Sequence, residues 1–384
     1  MMMGDPPYRI AYVIGELGEG GVEYQLHELL RHLDRRRFAP GVFLLASGGW
    51  WVEPIRALGV PVEEIPRRGP ADLRRLAPLR TALRRFAPHV LHTILWSGNS
   101  YGRLAALGLA IPVVIAAERV VMPHRAWQVV VERALDRVTD AYLVNCEAVA
   151  AWKVERERVA REKIEVIPNG IDLGRLPPFS LDRRAARLAA GLQRDRRLVA
   201  GVGRLDAQKD FPTFLRAAAM IAAEFPDVDF LVVGDGEERA ALEALARRLG
   251  LGARVGFSGL RHDVPRLLAA ADVLALTSIY EGFPNVVLEA MATGAVAVAT
   301  NVGGCRELVT SGETGLLVPP RAPAAVAAAV GRVLRDSTLA RRLATTARQR
   351  VEGAFSVDVM ARRTMDAYLR RLQATRGPAT VVAA

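Results

Sequence analysis

Two glutamates eight positions apart, Glu281 and Glu289, bracket a Gly-Phe-Pro turn in "EGFPNVVLEA". The pattern predicts a strand Val273–Leu276, a loop Tyr280–Asn285, and a helix from Asn285 to about Met291 that stops at Gly294. Glu281 then sits in the loop and Glu289 one turn inside the helix. Upstream, "GVGRLDAQKDF" puts Arg204 and Lys209 just beyond the carboxyl end of a predicted strand Leu198–Val202. Two cations in a Gly-containing loop suit an anionic ligand such as a diphosphate. Carboxylates accept hydroxyls, so the four residues together suit a sugar nucleotide. Plainer alternatives stand beside this one. Asp206 and Asp210 would pair with the cations as structural salt bridges, and the glutamates would be a helix-cap acid and a surface acid.

A third stretch, "GELGEGGVEYQLHELLRHL", follows the first predicted strand. Gly18, Gly20 and Gly21 make a tight turn that opens a helix near Val22, where free N–H groups and the positive helix end suit a phosphate. The strict G-x-G-x-x-G spacing follows neither this strand nor Leu198–Val202, which disfavours a dehydrogenase.

The elements that must position these residues repeat one pattern twice. Short β-branched runs at Arg9–Ile14, Val42–Ala46, Val60–Ile65, Val90–Thr93, Val113–Ala117, Ala141–Val144 and Glu165–Ile167 alternate with helical stretches such as Val22–Leu33 and Ser97–Leu109. "NGIDLGRLPPFS" (169–180) breaks both patterns and reads as a linker. The alternation restarts with Leu198–Val202, Phe230–Val233, Val255–Phe257, Val273–Leu276, Val296–Ala299 and Leu316–Val318. Buried strands alternating with helices mean βαβ units and parallel sheets covered on both faces. Ligands bind such sheets at the carboxyl ends of their strands. "DVD" (227–229), a possible metal motif, reads as a turn at the opposite end. "VDVMARRTMDAYLRRLQA" (357–374) reads as a final helix.

Composition agrees with two cores: 384 residues, 51% hydrophobic, net charge +11. Nucleic acid, an anionic membrane and phosphorylated substrates all fit that charge. No aromatic-interleaved basic motif is present, so no nucleic-acid partner is expected. "RRGPADLRRLAPLRTALRRFAPH" (67–89) reads as a basic amphipathic helix that either lies on anionic lipid or packs its Leu face on the core. Cys146 and Cys305 lack metal-site spacing and read as reduced core thiols. The start of the chain has no basic n-region, and Ile10–Ile14 is too short for a signal sequence. Ala105–Ala117, broken by Pro112, falls short of the ~20 residues of a membrane span. A cytoplasmic location follows, with peripheral contact on the inner face of the membrane as an option.

With these motifs in order, the chain resembles glycosyltransferase family 4. "EGFPNVVLE" matches the E-x7-E motif of its retaining members, and "VIPNGID", "FLVVGDGEE", "VGFSGLRHDVPRLLAAADVLALTS" and "GGCRELVTSGETGLLVPP" support it. The resemblance implies the α/β GT-B fold, two Rossmann-like domains facing across a cleft. Expected boundaries are 1–175 for the acceptor domain, 176–355 for the donor-nucleotide domain, 356–375 for a helix crossing back to the first, and 376–384 for a frayed tail. The resemblance assigns Arg204 and Lys209 to the donor diphosphate, with Gly20 and Gly21 closing on the same group. It assigns Glu281 to a donor-sugar hydroxyl and Glu289 to the ribose. Backbone groups of Gly282, Phe283, Asn285 and Val286 would fix sugar and phosphate, with the base near Leu260 and Arg261. Transfer would proceed with retention, through an oxocarbenium-like state and without a metal or other cofactor, onto a glycan, lipid-linked or small-molecule acceptor. One departure concerns the acceptor side. Where relatives often carry His after the strand equivalent to Val113–Ala117, this chain has Glu118-Arg119. His92, Trp96, Asn99, Glu118, Arg119 and Arg125 are the residues from which that side would be built, and His92 also suits a purely structural place. Two other readings stay open. One is a sugar-nucleotide epimerase or hydrolase of the same fold, and the other is a non-enzymatic basic binding module.

Overall fold

The computed structural model describes residues 7–67, 69, 72–120, 125–180, 182–192 and 196–375. The expected frayed tail, 376–384, lies outside the described residues. Two compact units emerge: Met1–Gly170 together with Val357–Ala384, and Ile171–Ser356.

In the first unit, strands β1 (Tyr8–Ile14), β2 (Phe38–Leu44), β3 (Val62–Glu64), β4 (Val90–Ile94), β5 (Val113–Glu118), β6 (Ala141–Val144) and β7 (Ile164–Val166) form one sheet. Its order is β3-β2-β1-β4-β5-β6-β7, and every pairing is parallel. Strand residues alternate between two cores. Ile10, Tyr12 and Ile14 enter one cluster, while Ala11 and Val13 enter the other. This double burial explains why the strands read as unbroken apolar runs. The helix Val357–Thr375 adds Val357, Met360, Ala361, Tyr368 and Leu372 to the first cluster.

The second unit repeats the winding with β8 (Arg197–Val202), β9 (Val228–Val233), β10 (Val255–Phe257), β11 (Val273–Leu276), β12 (Val296–Thr300) and β13 (Leu316–Val318). The order is β10-β9-β8-β11-β12-β13, again parallel throughout. The chain therefore switches direction between β8 and β11. The loops leaving these two strands flank the crevice where doubly wound sheets bind ligands. Those loops carry Arg204, Lys209 and Glu281.

Three readings of the sequence change. Of the 227–229 stretch only Asp227 lies in a turn, because β9 starts at Val228. Asp229 pairs in register with Leu198, and its carboxylate accepts from Arg196 Nε at 2.8 Å, while Asp227 holds Arg197. These acids serve the amino end of the sheet. The basic stretch 67–89 is a short 3-10 turn, Leu73–Arg75, followed by a helix, Leu76–Phe86, that packs Leu79 and Leu83 inward. Its arginines are largely committed. Arg75 donates to the Leu45 carbonyl at 2.9 Å and lies over the Tyr101 ring, Arg80 bonds the Ala105 carbonyl, and Arg85 pairs with Glu63. Third, β2 begins at Phe38, four residues before the predicted Val42, and runs through Pro40. Strand β3 joins only at Val42, so the missing N–H of Pro40 interrupts no β2–β3 bond. Cys146 and Cys305 are both buried.

Candidate active site

The site of the second unit begins with the loop after β8. Gly203 donates to the Val233 carbonyl and Leu205 to the Asp235 carbonyl, which lashes the loop to the end of β9. A side chain at Gly234 would collide with this loop, its Cβ lying 2.0 Å from the Gly203 oxygen. The loop ends in the helix Phe211–Glu224, capped by the Asp210 carboxylate, which accepts from the Thr213 hydroxyl at 2.7 Å. Asp210 is thus occupied as a cap and is not a partner for Lys209.

Lys209 instead reaches across to the loop after β11. Its ammonium lies 2.5 Å from Glu281 Oε1, and the Ser278 hydroxyl donates to the same oxygen at 2.6 Å. Both side chains are largely buried. The two loops are stitched together around this pair: Thr277 donates to the Lys209 carbonyl, Gln208 to the Tyr280 carbonyl, and Ile279 N–H to the Gln208 carbonyl. Among the described residues, both bonds to the Glu281 carboxylate fall on Oε1, which leaves Oε2 to accept from a ligand. Arg204 stands apart. It is 71% exposed and pairs with Asp206 at 2.6 Å, which is one of the two salt bridges considered from the sequence.

After Glu281, the Gly282 carbonyl accepts from Gly304 N–H at 2.7 Å, and Phe283 packs edge-on against Phe355. Pro284 precedes the helix Asn285–Thr293, which ends on the left-handed Gly294. Asn285 and Val286 stand in its first turn, where helix N–H groups lack intrahelical acceptors. Glu289 is half-buried in the same helix. No hydrogen bond is made to its carboxyl among the described residues, and burial raises its pKa to about 8. A carboxyl in that state gains from any hydroxyl that reaches it. Leu260 and Arg261 lie in the loop after β10, two strands from β8. Leu260 is exposed, and Arg261 pairs with Asp263 at 2.7 Å.

Sequence reasoning did not reach the supports of this site. Ser278, fully buried, both bonds Glu281 and, through its carbonyl, receives the Thr300 hydroxyl. Gly303 has φ +46°, and a Cβ there would sit 1.9 Å from the Glu281 carbonyl oxygen. The only local signal is the Gly-Gly pair 303–304 just past a strand. Gly303→Ala should therefore cost about 3 kcal/mol or more and push Glu281 out of place. Denaturant midpoints and nucleotide binding, measured on the same preparation, check both effects.

In the first unit, the helix Gly21–His32 starts directly after Gly20. The Glu23 carboxylate lies over Gly20, 2.1 Å from where a Cβ would stand. His92 and Asn99, expected on the acceptor side, are enclosed in the interior. His92 Nδ1 meets the Tyr368 hydroxyl at 2.5 Å, and burial pushes its pKa down to about 3, so the ring is neutral. Asn99 braces two strands, accepting from the Thr93 hydroxyl at 2.7 Å and donating to the Ala117 carbonyl at 3.1 Å. Glu118 is buried at the end of β5. Arg119 donates to Asn169 at 3.0 Å, while its Nε is buried with no hydrogen-bond partner among the described residues. Trp96 packs edge-on against Trp127.

Two parallel doubly wound units, with a cation–carboxylate pair at the switch point of the second, define a GT-B protein. Comparisons agree. The model for glycosyl transferases group 1 matches residues 182–350, and that for glycosyltransferase family 4 matches 19–175. A D-inositol 3-phosphate glycosyltransferase from Mycobacterium sp. (strain KMS) is 32% identical over 394 residues, covering 92% of this chain and 87% of the relative. The lipopolysaccharide core biosynthesis glycosyltransferase LpsE of Rhizobium meliloti is 33% identical over 240 residues, 62% of this chain and 65% of LpsE. An uncharacterized glycosyltransferase of Methanocaldococcus jannaschii is 31% identical, with 60% of its length covered, so these last two are matched over less than two thirds of their length. Among solved structures, Anabaena HepE in complex with UDP and glucose superposes with a TM-score of 0.85 at 24% identity, over 94% of this chain and 100% of that one. The chain belongs to glycosyltransferase family 4.

Proposed function

We propose that this chain moves a sugar from a nucleotide-diphosphate sugar to a glycan, lipid-linked or small-molecule acceptor, with retention and without a metal ion. The observation that carries the reading is the Lys209–Glu281 pair at the switch point of the second sheet, followed in the next helix by the Glu289 carboxyl, which no described residue bonds. In this reading Glu281 Oε2 would take a donor-sugar hydroxyl and Glu289 the ribose diol. The remaining N–H bonds of Lys209 and the exposed Arg204 would hold the diphosphate. As the glycosidic bond breaks, charge grows on that leaving group, and fixed cations stabilise it without reorganising. Arg119 would suit a phosphate on the acceptor. The reading keeps the cytoplasmic location with peripheral membrane contact. No helix among the described residues is long and apolar enough to cross a membrane.

The HepE complexes make UDP the first nucleotide to try, against GDP, ADP and dTDP. At a hundred times Kd, binding should stabilise the folded chain by about 2.7 kcal/mol, read as a rise in melting temperature. The rise should persist in chelator and vanish in Lys209→Ala. No rise with any nucleotide would remove the donor site, and a rise abolished by chelator would remove metal independence.

A further inference from the structure

Of the six exposed large apolar side chains described in the first unit, Trp50, Leu73 and Leu107 stand on separate segments and three share one element. The helix Ala126–Leu135 and the 3-10 turn Asp136–Val138 that extends it expose Trp127 (55%), Val130 (64%) and Val138 (38%). With Ala134, also exposed, these positions recur at i, i+3, i+7 and i+11, one continuous stripe of a helix. Val138 shares a hollow with Leu107, a fourth exposed apolar side chain. Arg125, Arg133 and Arg137, all exposed, flank the stripe, Arg133 also donating to the Arg156 carbonyl at 2.8 Å.

The acids of this element are turned away. Glu132 is buried in a bidentate pair with Arg103 at 2.6 Å, with Lys153 3.9 Å away. Asp136 is held by Lys163 at 3.2 Å. The outer face is therefore apolar and cationic, and it is rigidly backed. An indole edge with flanking guanidinium groups suits the boundary between headgroups and acyl chains. The helix Leu76–Phe86, for which the sequence left lipid contact and core packing both open, spends its Leu face on the core and most of its arginines on carbonyls and Glu63.

We propose that the Trp127–Val138 stripe docks on an anionic lipid bilayer. This deepens the peripheral-membrane part of the reading above. It is independent of the donor site, so vesicle binding and nucleotide binding can fail separately. Neutral hydrophobic contact alone would take any bilayer, whereas the arginines make the surface select negative headgroups, at about fivefold in partition per cation.

Co-sedimentation of the full chain with phosphatidylglycerol/phosphatidylcholine vesicles, against phosphatidylcholine alone, tests it. The expected result is binding to the anionic vesicles that weakens with salt and is at least tenfold lower on phosphatidylcholine. Trp127→Ser/Val130→Ser should lose binding at least tenfold with an unchanged melting temperature, and Arg125→Glu/Arg137→Glu should lose it comparably. Equal binding of the Trp127→Ser/Val130→Ser protein would overturn the proposal and return the role to Arg74 and Arg84. Concentration-dependent self-association without vesicle binding would overturn it in favour of a second copy covering the stripe.

Discussion

Lys209→Ala should lower sugar transfer about a hundred- to a thousandfold, the range found when one preorganised group is removed from a developing charge. It should also destabilise the second unit by about 3 kcal/mol, since removing one partner of a buried pair strands the other. Glu281 would keep only the Ser278 hydroxyl as a donor, in a pocket it shares with no other cation among the described residues. The two losses have different causes and can be separated. In Lys209→Ala/Glu281→Gln the stranded charge is gone, so most of the stability should return while transfer stays low. Arginine is no substitute, because its planar fork cannot place a point charge in a site sized for an ammonium. Transfer rates and denaturant midpoints for the two variants and the wild type form the measurement. Wild-type transfer by Lys209→Ala would reduce the pair to a structural clamp between two loops.

The sheets were legible because burial on both faces writes each strand as an apolar run, and loops between them are short. The strands Ala141–Val144, Val255–Phe257, Val273–Leu276 and Leu316–Val318 come out with the bounds read from sequence. Errors fall where partner geometry overrides local signals. Pro40 reads as a breaker, yet it is tolerated where only one neighbour strand is present. Asp229 reads as turn, yet it joins β9 because Arg196 neutralises it. The site was legible in kind more than in arrangement. Residue types placed cations and carboxylates at strand ends. Nothing local says that Lys209 and Glu281, seventy-two residues apart, share a hydrogen bond, that Ser278 completes it, or that Glu23 covers Gly20. The acceptor side fared worst. His92 and Asn99 stand at strand and helix positions that look alike whether they face ligand or core, and tertiary packing put both in the core.

Glu289→Gln should have opposite effects on stability and on binding. Burial raises the Glu289 pKa from its ordinary value to about 8, so the folded chain holds a proton there that the unfolded chain has lost. Stability contributed by this group is therefore greatest below about pH 4.5, falls as pH rises toward 8, and is flat above it. At pH 8 ionisation of this group is a net cost to folding, and the neutral isostere removes it. Glu289→Gln should accordingly melt higher than wild type at pH 8 and about equally at pH 4.5. Nucleotide binding should move the other way. A carboxylate accepting two ribose hydroxyls makes charge-assisted bonds worth about 1.5–3 kcal/mol, so the amide should bind the nucleotide roughly ten- to a hundredfold more weakly. Because those bonds favour the ionised form, nucleotide binding by wild type at pH 7 should release a proton. Titration calorimetry in buffers of different ionisation enthalpy measures that release, which Glu289→Gln should lack. A residue kept only for helix packing would gain stability on this change and lose nothing, whereas a carboxyl held neutral by burial until a diol arrives must lose affinity as it gains stability.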